Sequence, residues 1–255
     1  MPFKELFVGK RVLVTGAGRG LGRALVKRLH SYGAQVIALS RTESHLKTLQ
    51  AELPGLEIVC VDLGDWEKAR EVIGQLDVVD ILVNNAALIL VKGIMSTSSE
   101  EFDSLINVNL KSVMNTCQLV AAKMIAAGKS GSIVNVSSIA GTQPSPYNGL
   151  YCVTKAALEM MSKCLAVELG SKKIRVNTFA PAGIETDMLQ ELASGTDNLV
   201  QKEGTFKAFL KFRTPTQTAH MPTDECINTM LFLMSDLTTQ ITGHNLTIDG
   251  GYLCT

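Results

Sequence analysis

The sequence has no surplus of charge of either sign. Its 255 residues include 24 lysines and arginines and 24 aspartates and glutamates, and no basic run is interleaved with aromatic residues. Proteins that attract nucleic acid or anionic membranes over a distance carry a net positive charge or a basic patch. The composition therefore predicts a protein without a nucleic-acid partner.

Long hydrophobic runs are missing as well. No apolar stretch reaches the roughly 18 residues that a membrane-spanning helix needs. The first ten residues, MPFKELFVGK, mix charges with apolar side chains and have no small-residue cleavage site, so they do not resemble a signal peptide. We therefore expect no membrane span and a cytoplasmic location.

The six cysteines lack the spacing of a metal site or of a disulfide framework. They are scattered from Cys60 to Cys254 without a CxxC pair. The four histidines show no ligand spacing either. The sequence thus predicts that no metal is bound, and it favours a reducing compartment.

The most informative stretch, from Val12 to His30, reads VLVTGAGRGLGRALVKRLH. A short β-branched run is followed by four closely spaced glycines and then by apolar residues at helical spacing. Glycines let the backbone approach a pyrophosphate, which lies on the free N–H groups at the start of the helix. This pattern is typical of dinucleotide binding, although glycines also serve tight structural turns. The candidate cofactor-binding residues in this stretch are Gly16, Arg19, Gly20, Leu21 and Gly22.

Strands and helices alternate along the chain. Helical patterns separate short apolar runs, and these runs predict strands near residues 12–14, 35–39, 56–63, 80–83, 132–136, 174–179 and 245–248. Buried strands joined by helices pair in parallel through right-handed crossovers. We predict an α/β fold, a single Rossmann-type doubly wound parallel sheet of about seven strands with helices on both faces, in one domain over residues 1–255.

One polar segment, residues 184–217, interrupts this alternation. A long excursion within a compact domain is usually a lid or a binding loop. We interpret the segment as a substrate lid, and an ordinary helical insertion is the alternative.

The residues after the second strand bear on the choice of dinucleotide. A carboxylate there would accept a hydrogen bond from the ribose 2′-hydroxyl of NAD, but Arg41 and Thr42 stand at this point. Arg41 and Arg19 would suit the 2′-phosphate of NADPH, because guanidinium groups present a planar fork of donors. The alternative is that both arginines are solvated surface charges. Asp62 and Leu63, which end the third strand, are expected near the adenine.

A tyrosine and a lysine carry the candidate chemistry. Tyr151 and Lys155 are four residues apart on a predicted helix and therefore share one face. We expect the ammonium to lower the phenol pKa from its usual value of about 10, so that the tyrosine exchanges a proton near neutral pH. Ser138 ends the preceding strand, where open α/β sheets bind ligands, and its hydroxyl would polarise a carbonyl.

Together these motifs point to a known family. TGAGRGLG, NNAA, the set Ser138, Tyr151 and Lys155, and the closing TGHNLTIDGG resemble the short-chain dehydrogenase/reductase family over nearly the whole chain. Within that family, RVLVTGAGRGLGR, ALSRT, VCVDLGDWE and YCVTKAALEM are similar to the tetrameric L-xylulose/dicarbonyl reductase branch. The resemblance implies a homotetrameric, NADPH-dependent reductase of a ketone, dicarbonyl or ketose.

The resemblance also implies roles for single residues. Ser138, rather than Ser137, would be the catalytic serine, and Tyr151 would donate the proton. Asn109 would hold a water that connects to Lys155, which would also bind the nicotinamide ribose. The further residues implied to contact the cofactor are Asn85, Ile184 and Thr186. The implied substrate contacts, besides Ser138 and Tyr151, are Gln143 and Asn148.

Two other functions stay open. The first is a 3-oxoacyl or steroid reductase on the same scaffold, because residues 184–217 would set the choice of substrate. The second is a protein that binds NADPH without turnover, which would be expected to lack part of the catalytic set. All four members of that set are present here, namely Asn109, Ser138, Tyr151 and Lys155.

Overall fold

Seven parallel strands form one sheet in the structure, a computed structural model that describes residues 3–145, 148–184 and 210–255. The strands are β1 (Arg11–Thr15), β2 (Gln35–Ser40), β3 (Glu57–Cys60), β4 (Ile81–Asn84), β5 (Gly131–Val136), β6 (Ile174–Pro181) and β7 (Asn245–Ile248). Their order is β3-β2-β1-β4-β5-β6-β7, and every neighbouring pair is parallel. The predicted doubly wound sheet is confirmed.

Helices connect the strands along the described ranges. They are α1 (Lys4–Phe7), α2 (Gly20–Ser31), α3 (Glu43–Glu52), α4 (Trp66–Gly74), α5 (Ser99–Ile106), α6 (Ser112–Ala126), α7 (Gly149–Gly170) and α8 (Thr223–Met234). A π-helical turn at Asn107–Lys111 joins α5 to α6, so the long helical pattern after residue 99 is two helices with a wider turn between them.

The sheet is buried on both faces because its strands are apolar at consecutive positions. Val12 and Val14 pack into a core that includes residues of α2 and α8. Leu13, which points to the opposite face, packs into a second core that includes residues of α6 and α7. Successive side chains of one strand therefore pack against helices on opposite faces of the sheet.

The strand order reverses direction between β1 and β4. Sequential strands run outward from β1 to β2 and β3, and the chain then returns to β4 on the other side of β1. In open α/β sheets, ligands bind at the carboxyl edge beside such a reversal. The turns after β1, β4 and β5 meet at that edge and form the candidate site described below.

The described residues bear on three expectations, which concern membrane spans, metal sites and disulfide bonds. No helix within residues 3–145, 148–184 and 210–255 is long and apolar enough to cross a membrane. The same residues contain no cluster of three or more side chains suited to hold a metal ion. All six cysteines are free thiols.

The predicted lid lies mostly outside the described residues. Of the segment 184–217, the structure describes Ile184 and residues 210–217, of which 210–213 are helical. Ile184 forms a parallel β-bridge with Met221. Thr186, an expected cofactor contact, lies outside the described residues.

A buried arginine on β6 donates hydrogen bonds to carbonyl groups at the C-terminal end of α8. The Arg175 guanidinium donates to the carbonyl oxygens of Leu233 at 2.9 Å and of Ser235 at 3.0 Å. The last carbonyls of a helix have no partner within the helix, so another group has to satisfy them. Arg175 supplies these donors from within the core.

We therefore expect Arg175→Met to destabilise the fold, since buried carbonyls without donors cost about 1–3 kcal/mol each. Urea denaturation should show a free energy of unfolding lower by about 3 kcal/mol. The matched control is Arg28→Met, which removes a partly exposed ion pair of 2.8 Å to Asp224 on the same helix. Such a pair contributes less than about 1 kcal/mol. Equal losses in the two variants would contradict the role given to Arg175.

Candidate active site

The glycine turn between β1 and α2 is fixed by close backbone packing. Gly16 has a φ of +64°, and a Cβ at this position would lie 2.8 Å from the Ala86 Cα. A Cβ at Gly22 would lie 2.4 Å from the Gly16 carbonyl oxygen. The Asn85 amide donates to the carbonyls of Thr15 and Gly16, at 3.0 and 3.1 Å. The turn thus requires glycine for its own packing, and Asn85 ties it to the end of β4.

This turn leaves the start of α2 suited to bind an anion. Gly20 opens the helix, and the Arg19 side chain does not cap it. The Leu21 side chain is buried in the core, so its backbone N–H is the group that would face a phosphate. The first N–H groups of a helix and its dipole favour negative charge. The cradle therefore fits the pyrophosphate of a dinucleotide.

Arg41 and Asp62 form an ion pair at the carboxyl edge of the sheet, where they follow β2 and β3. The Arg41 Nη1 lies 3.6 Å from the Asp62 Oδ2, and both side chains are exposed. They line a cleft of about 440 Å³. Thr42 precedes α3 without capping it through its side chain, and Leu63 is buried behind Asp62. An exposed ion pair contributes less than about 1 kcal/mol, so the guanidinium is free to exchange this partner for a phosphate.

The sheet edge next to the glycine turn brings the predicted serine, tyrosine and lysine together. The Ser138 hydroxyl lies near the Tyr151 phenol and lowers its pKa, and Tyr151 is 8% exposed. The Lys155 ammonium lies 5.5 Å from the Tyr151 ring centroid and donates to the Val136 carbonyl at 2.7 Å. Only 2% of Lys155 is exposed. A hydroxyl, a phenol and an ammonium therefore lie close together at this edge of the sheet.

Burial changes the pKa values of this cluster in opposite directions. It raises the pKa of Tyr151 to about 12, against a smaller lowering by the Ser138 hydroxyl. It lowers the pKa of Lys155 to about 8, although the Glu159 carboxylate acts in the other direction. The expectation that the lysine brings the phenol pKa toward neutrality is wrong, because burial disfavours the phenolate and outweighs the lowering of the pKa by Ser138. The phenol is therefore neutral at physiological pH.

Asn109 lies in the π-helical turn and connects the irregular segment after NNAA to α7. Its Oδ1 accepts from the Leu88 N–H at 2.8 Å, while its Nδ2 donates to the Leu88 carbonyl at 2.9 Å and to the Thr154 hydroxyl at 3.1 Å. Turns with this wider hydrogen-bond pattern occur frequently at functional sites. Thr154 lies within YCVTKAALEM, but nothing in that motif pairs it with Asn109, and Leu88 follows the NNAA motif without belonging to it. The water link to Lys155 remains a prediction.

The two residues expected to contact substrate differ in how much of their side chains is exposed to solvent. Asn148 is buried before α7, and its Oδ1 accepts from the Cys152 thiol at 3.4 Å. Gln143 is half-buried in the turn after Ser138. Of these two candidates, Gln143 has the more accessible side chain.

A parallel sheet with a glycine turn beside its reversal point, followed by a serine, a buried tyrosine and a buried lysine, defines a dinucleotide-binding oxidoreductase. The model of the short chain dehydrogenase family matches residues 10–197. The chain belongs to this family, and the predicted membership is confirmed.

Relatives with assigned activities cover nearly the full chain. The sequence is 44% identical to carbonyl reductase (NADPH) 2 of Sus scrofa over 97% of this chain and 98% of that protein. It is 43% identical to L-xylulose reductase of Homo sapiens, with the same coverage. A gluconate 5-dehydrogenase from Burkholderia cenocepacia J2315, solved in complex with NADP and tartrate, is 28% identical and superposes with a TM-score of 0.90 over the full length of both chains. The similarity to the carbonyl and L-xylulose reductase branch is confirmed.

Proposed function

We propose that this protein is an NADPH-dependent reductase that converts a ketone, a dicarbonyl or a ketose to the alcohol. The observation that carries the proposal is the cluster of Ser138 with the buried Tyr151 and Lys155 beside the glycine turn. The names of the relatives, carbonyl reductase (NADPH) and L-xylulose reductase, support the same substrate class and cofactor.

The described residues fit the proposed cofactor at both ends of the sheet edge. The glycine turn and the start of α2 would hold the pyrophosphate, and Arg41 would take the 2′-phosphate. When bound, NADPH supplies the hydride for the carbonyl carbon. We assign the remaining cofactor contacts to Arg19, Gly20, Leu21, Thr42, Asp62, Leu63, Asn85, Tyr151, Lys155, Ile184 and Thr186.

The side chains of the cluster perform the proton chemistry. The Ser138 hydroxyl donates a hydrogen bond to the carbonyl oxygen and orients the substrate. Tyr151, which is neutral because its pKa is about 12, donates its proton to that oxygen. The Lys155 ammonium, 5.5 Å from the ring, stabilises the phenolate that results. Lys155 returns a proton to Tyr151 and would itself be reprotonated from solvent through the water that Asn109 would hold. The fixed geometry of the groups supplies much of the acceleration.

Tyr151→Phe tests this mechanism directly. The variant keeps the ring and loses the proton donor, so kcat should fall by at least about a hundredfold. Binding of NADPH, measured by fluorescence titration, should stay close to that of the unmodified protein. Tyr32→Phe, remote from the cluster and stacked on Phe7, is the control and should retain activity. Loss of cofactor binding in Tyr151→Phe would mean that the tyrosine has another role.

The substrate is the point on which the remaining alternatives differ. Oxidation of NADPH can be followed by absorbance with diacetyl, L-xylulose and an acetoacetyl thioester in parallel. Turnover of diacetyl or L-xylulose supports the proposal, whereas a preference for the thioester favours a 3-oxoacyl reductase. Turnover of none of the three favours a protein that binds NADPH without catalysis.

Arg41→Asp tests the choice of cofactor. Hydrogen bonds to a charged group contribute about 1.5–3 kcal/mol, so the KM for NADPH should rise tenfold to a hundredfold while the KM for NADH changes little. The control is Lys47→Asp, which makes the same charge change at an exposed position of α3, where the lysine pairs with Glu43. An unchanged ratio of the two KM values in Arg41→Asp would refute the assignment of the 2′-phosphate to this residue.

We also propose the organisation of the whole chain. Residues 1–255 form one catalytic domain, and residues 184–217 form a lid that sets the choice of substrate together with Gln143 and Asn148. The free state of all six cysteines supports a cytoplasmic location.

We further propose a homotetramer that uses the outer face of α7. Val153, Met160 and Val167 lie seven residues apart on this face and are 49%, 59% and 84% exposed. Such a contiguous apolar stripe is typical of an interface. Met114 and Ile125 of α6 are also exposed and would extend it.

Light scattering coupled to size exclusion should therefore give four times the chain mass of 27.4 kDa. Val167→Asp should shift the protein toward smaller species, because the interface would have to bury an unpaired carboxylate. Val8→Asp, at an exposed position outside α7, should leave the mass unchanged. A monomer in the unmodified protein would refute the proposal.

A further inference from the structure

We propose that Ser137 and Glu159 are positioning residues for the reaction: their hydrogen bond holds the turn that carries Ser138 against α7 and places a carboxylate beside Lys155. This inference rests on the proposed function. It concerns two residues to which the sequence analysis assigned no role, one of them next to the catalytic serine.

Ser137 is buried and faces α7 instead of the pocket. Its Oγ donates to the Glu159 Oε1 at 2.8 Å and lies 3.5 Å from the Lys155 carbonyl oxygen. Its backbone N–H donates to the Phe179 carbonyl of β6 at 2.7 Å. Ser137 is therefore tied to both α7 and the sheet, and the residue after it, Ser138, is held toward Tyr151.

The turn after Ser138 leaves space for the carboxylate. A Cβ at Gly141 would lie 2.4 Å from the Glu159 Oε1 and 3.0 Å from the Lys155 carbonyl carbon. Any side chain at this position would displace the carboxylate or push the turn off the helix. Gly141 belongs to the short 3-10 turn Ile139–Gly141, which begins directly after Ser138. The close contact of this turn with α7 thus depends on a glycine opposite Glu159.

Glu159 also supplies the negative charge nearest to Lys155 along α7. The two residues are four positions apart and so lie on one face. The Glu159 carboxylate raises the pKa of Lys155, against the lowering caused by burial. An opposite charge at short range favours the charged form of a buried group.

The other charged groups on elements packed against α7 are engaged elsewhere. Lys111, from the π-helical turn, lies over the Trp66 ring. Arg175 of β6 donates to carbonyls at the end of α8. On α5, Glu101 pairs with Lys92, Glu100 is held by hydrogen bonds at the helix start, and Asp103 lines the Arg41 cleft. The strand β5 and the turn Ile139–Gly141 contain no charged side chain, and Tyr151 itself is neutral below its pKa of about 12.

Two variants separate the positioning effect from the charge effect. Ser137→Ala removes the hydrogen bond and keeps the carboxylate, so kcat should fall about tenfold at every pH, the effect expected for one charge-assisted hydrogen bond. Glu159→Gln keeps an oxygen that accepts from Ser137 and removes the charge, so its main effect should be on the pH profile. The activity that depends on protonated Lys155 should be lost at a pH about one unit lower than in the unmodified protein.

The direction of this shift follows from the charges. Lys155 has a pKa of about 8 and is protonated below that value. Removal of a nearby anion makes the ammonium less stable and lowers its pKa further, so the basic limb of the kcat profile moves to lower pH. Glu168→Gln removes the same charge from an exposed position of α7 and should leave the limb in place.

A readout independent of turnover is the 13Cε chemical shift of Lys155, assigned by its absence in Lys155→Met. It should titrate at lower pH in Glu159→Gln and at an unchanged pH in Ser137→Ala and Glu168→Gln. An unchanged titration in Glu159→Gln overturns the charge effect, and an unchanged kcat in Ser137→Ala overturns the positioning effect.

The Tyr151→Phe variant distinguishes failure of this inference from failure of the proposed function. If Tyr151→Phe retains turnover, the proposed function is wrong and the positioning claim falls with it. If Tyr151→Phe is inactive while Ser137→Ala keeps the kcat of the unmodified protein, only the present inference is wrong.

Discussion

The geometry of the candidate site depends on how α7 is attached to the carboxyl end of β5. Three successive hydrogen bonds make this attachment, at 2.7 to 2.9 Å, and they join Lys155 to Val136, Ser137 to Glu159 and Asn135 to Ser162. Because these groups are mostly buried, a slip of the helix along the strand would leave polar groups without partners. The distance between the serine on the strand end and the tyrosine on the helix is set by this polar seam.

Burial at the same edge changes the pKa values of both titratable side chains of the candidate site. It keeps the Tyr151 phenol protonated and weakens the hold of Lys155 on its own proton, so the donor and its neighbouring cation have pKa values of about 12 and about 8. Groups in water would have neither value. The Glu159 carboxylate moderates the effect on the lysine, and the glycine opposite it allows the turn to approach closely. The packing of this edge and the pKa values of its titratable groups therefore depend on the same few contacts.

Much of the fold was predictable because strong local signals agree with one another. β-branched runs, the glycine turn and the helical spacing gave seven strands, six of them close to their observed bounds, and parallel pairing followed from the alternation. The third strand, predicted over residues 56–63, ends at Cys60, so Asp62 and Leu63 follow the strand and do not end it. The tyrosine and lysine could be paired by their spacing on one helix. The sign of the Tyr151 pKa shift was wrong, since the spacing shows a neighbouring cation and does not show how completely the phenol is removed from water.

The sequence alone determined the α/β class, the strand order along the chain, the family and the residues that carry its motifs, because these depend on local patterns of side chains. Only the tertiary structure decided that Ser137 contacts Glu159 on α7, what each partner of Asn109 is, and where the Glu159 carboxylate lies. Successive residues at a strand end point to opposite sides, and their partners come from elements distant along the chain. Such contacts exist only when the sheet and α7 have packed.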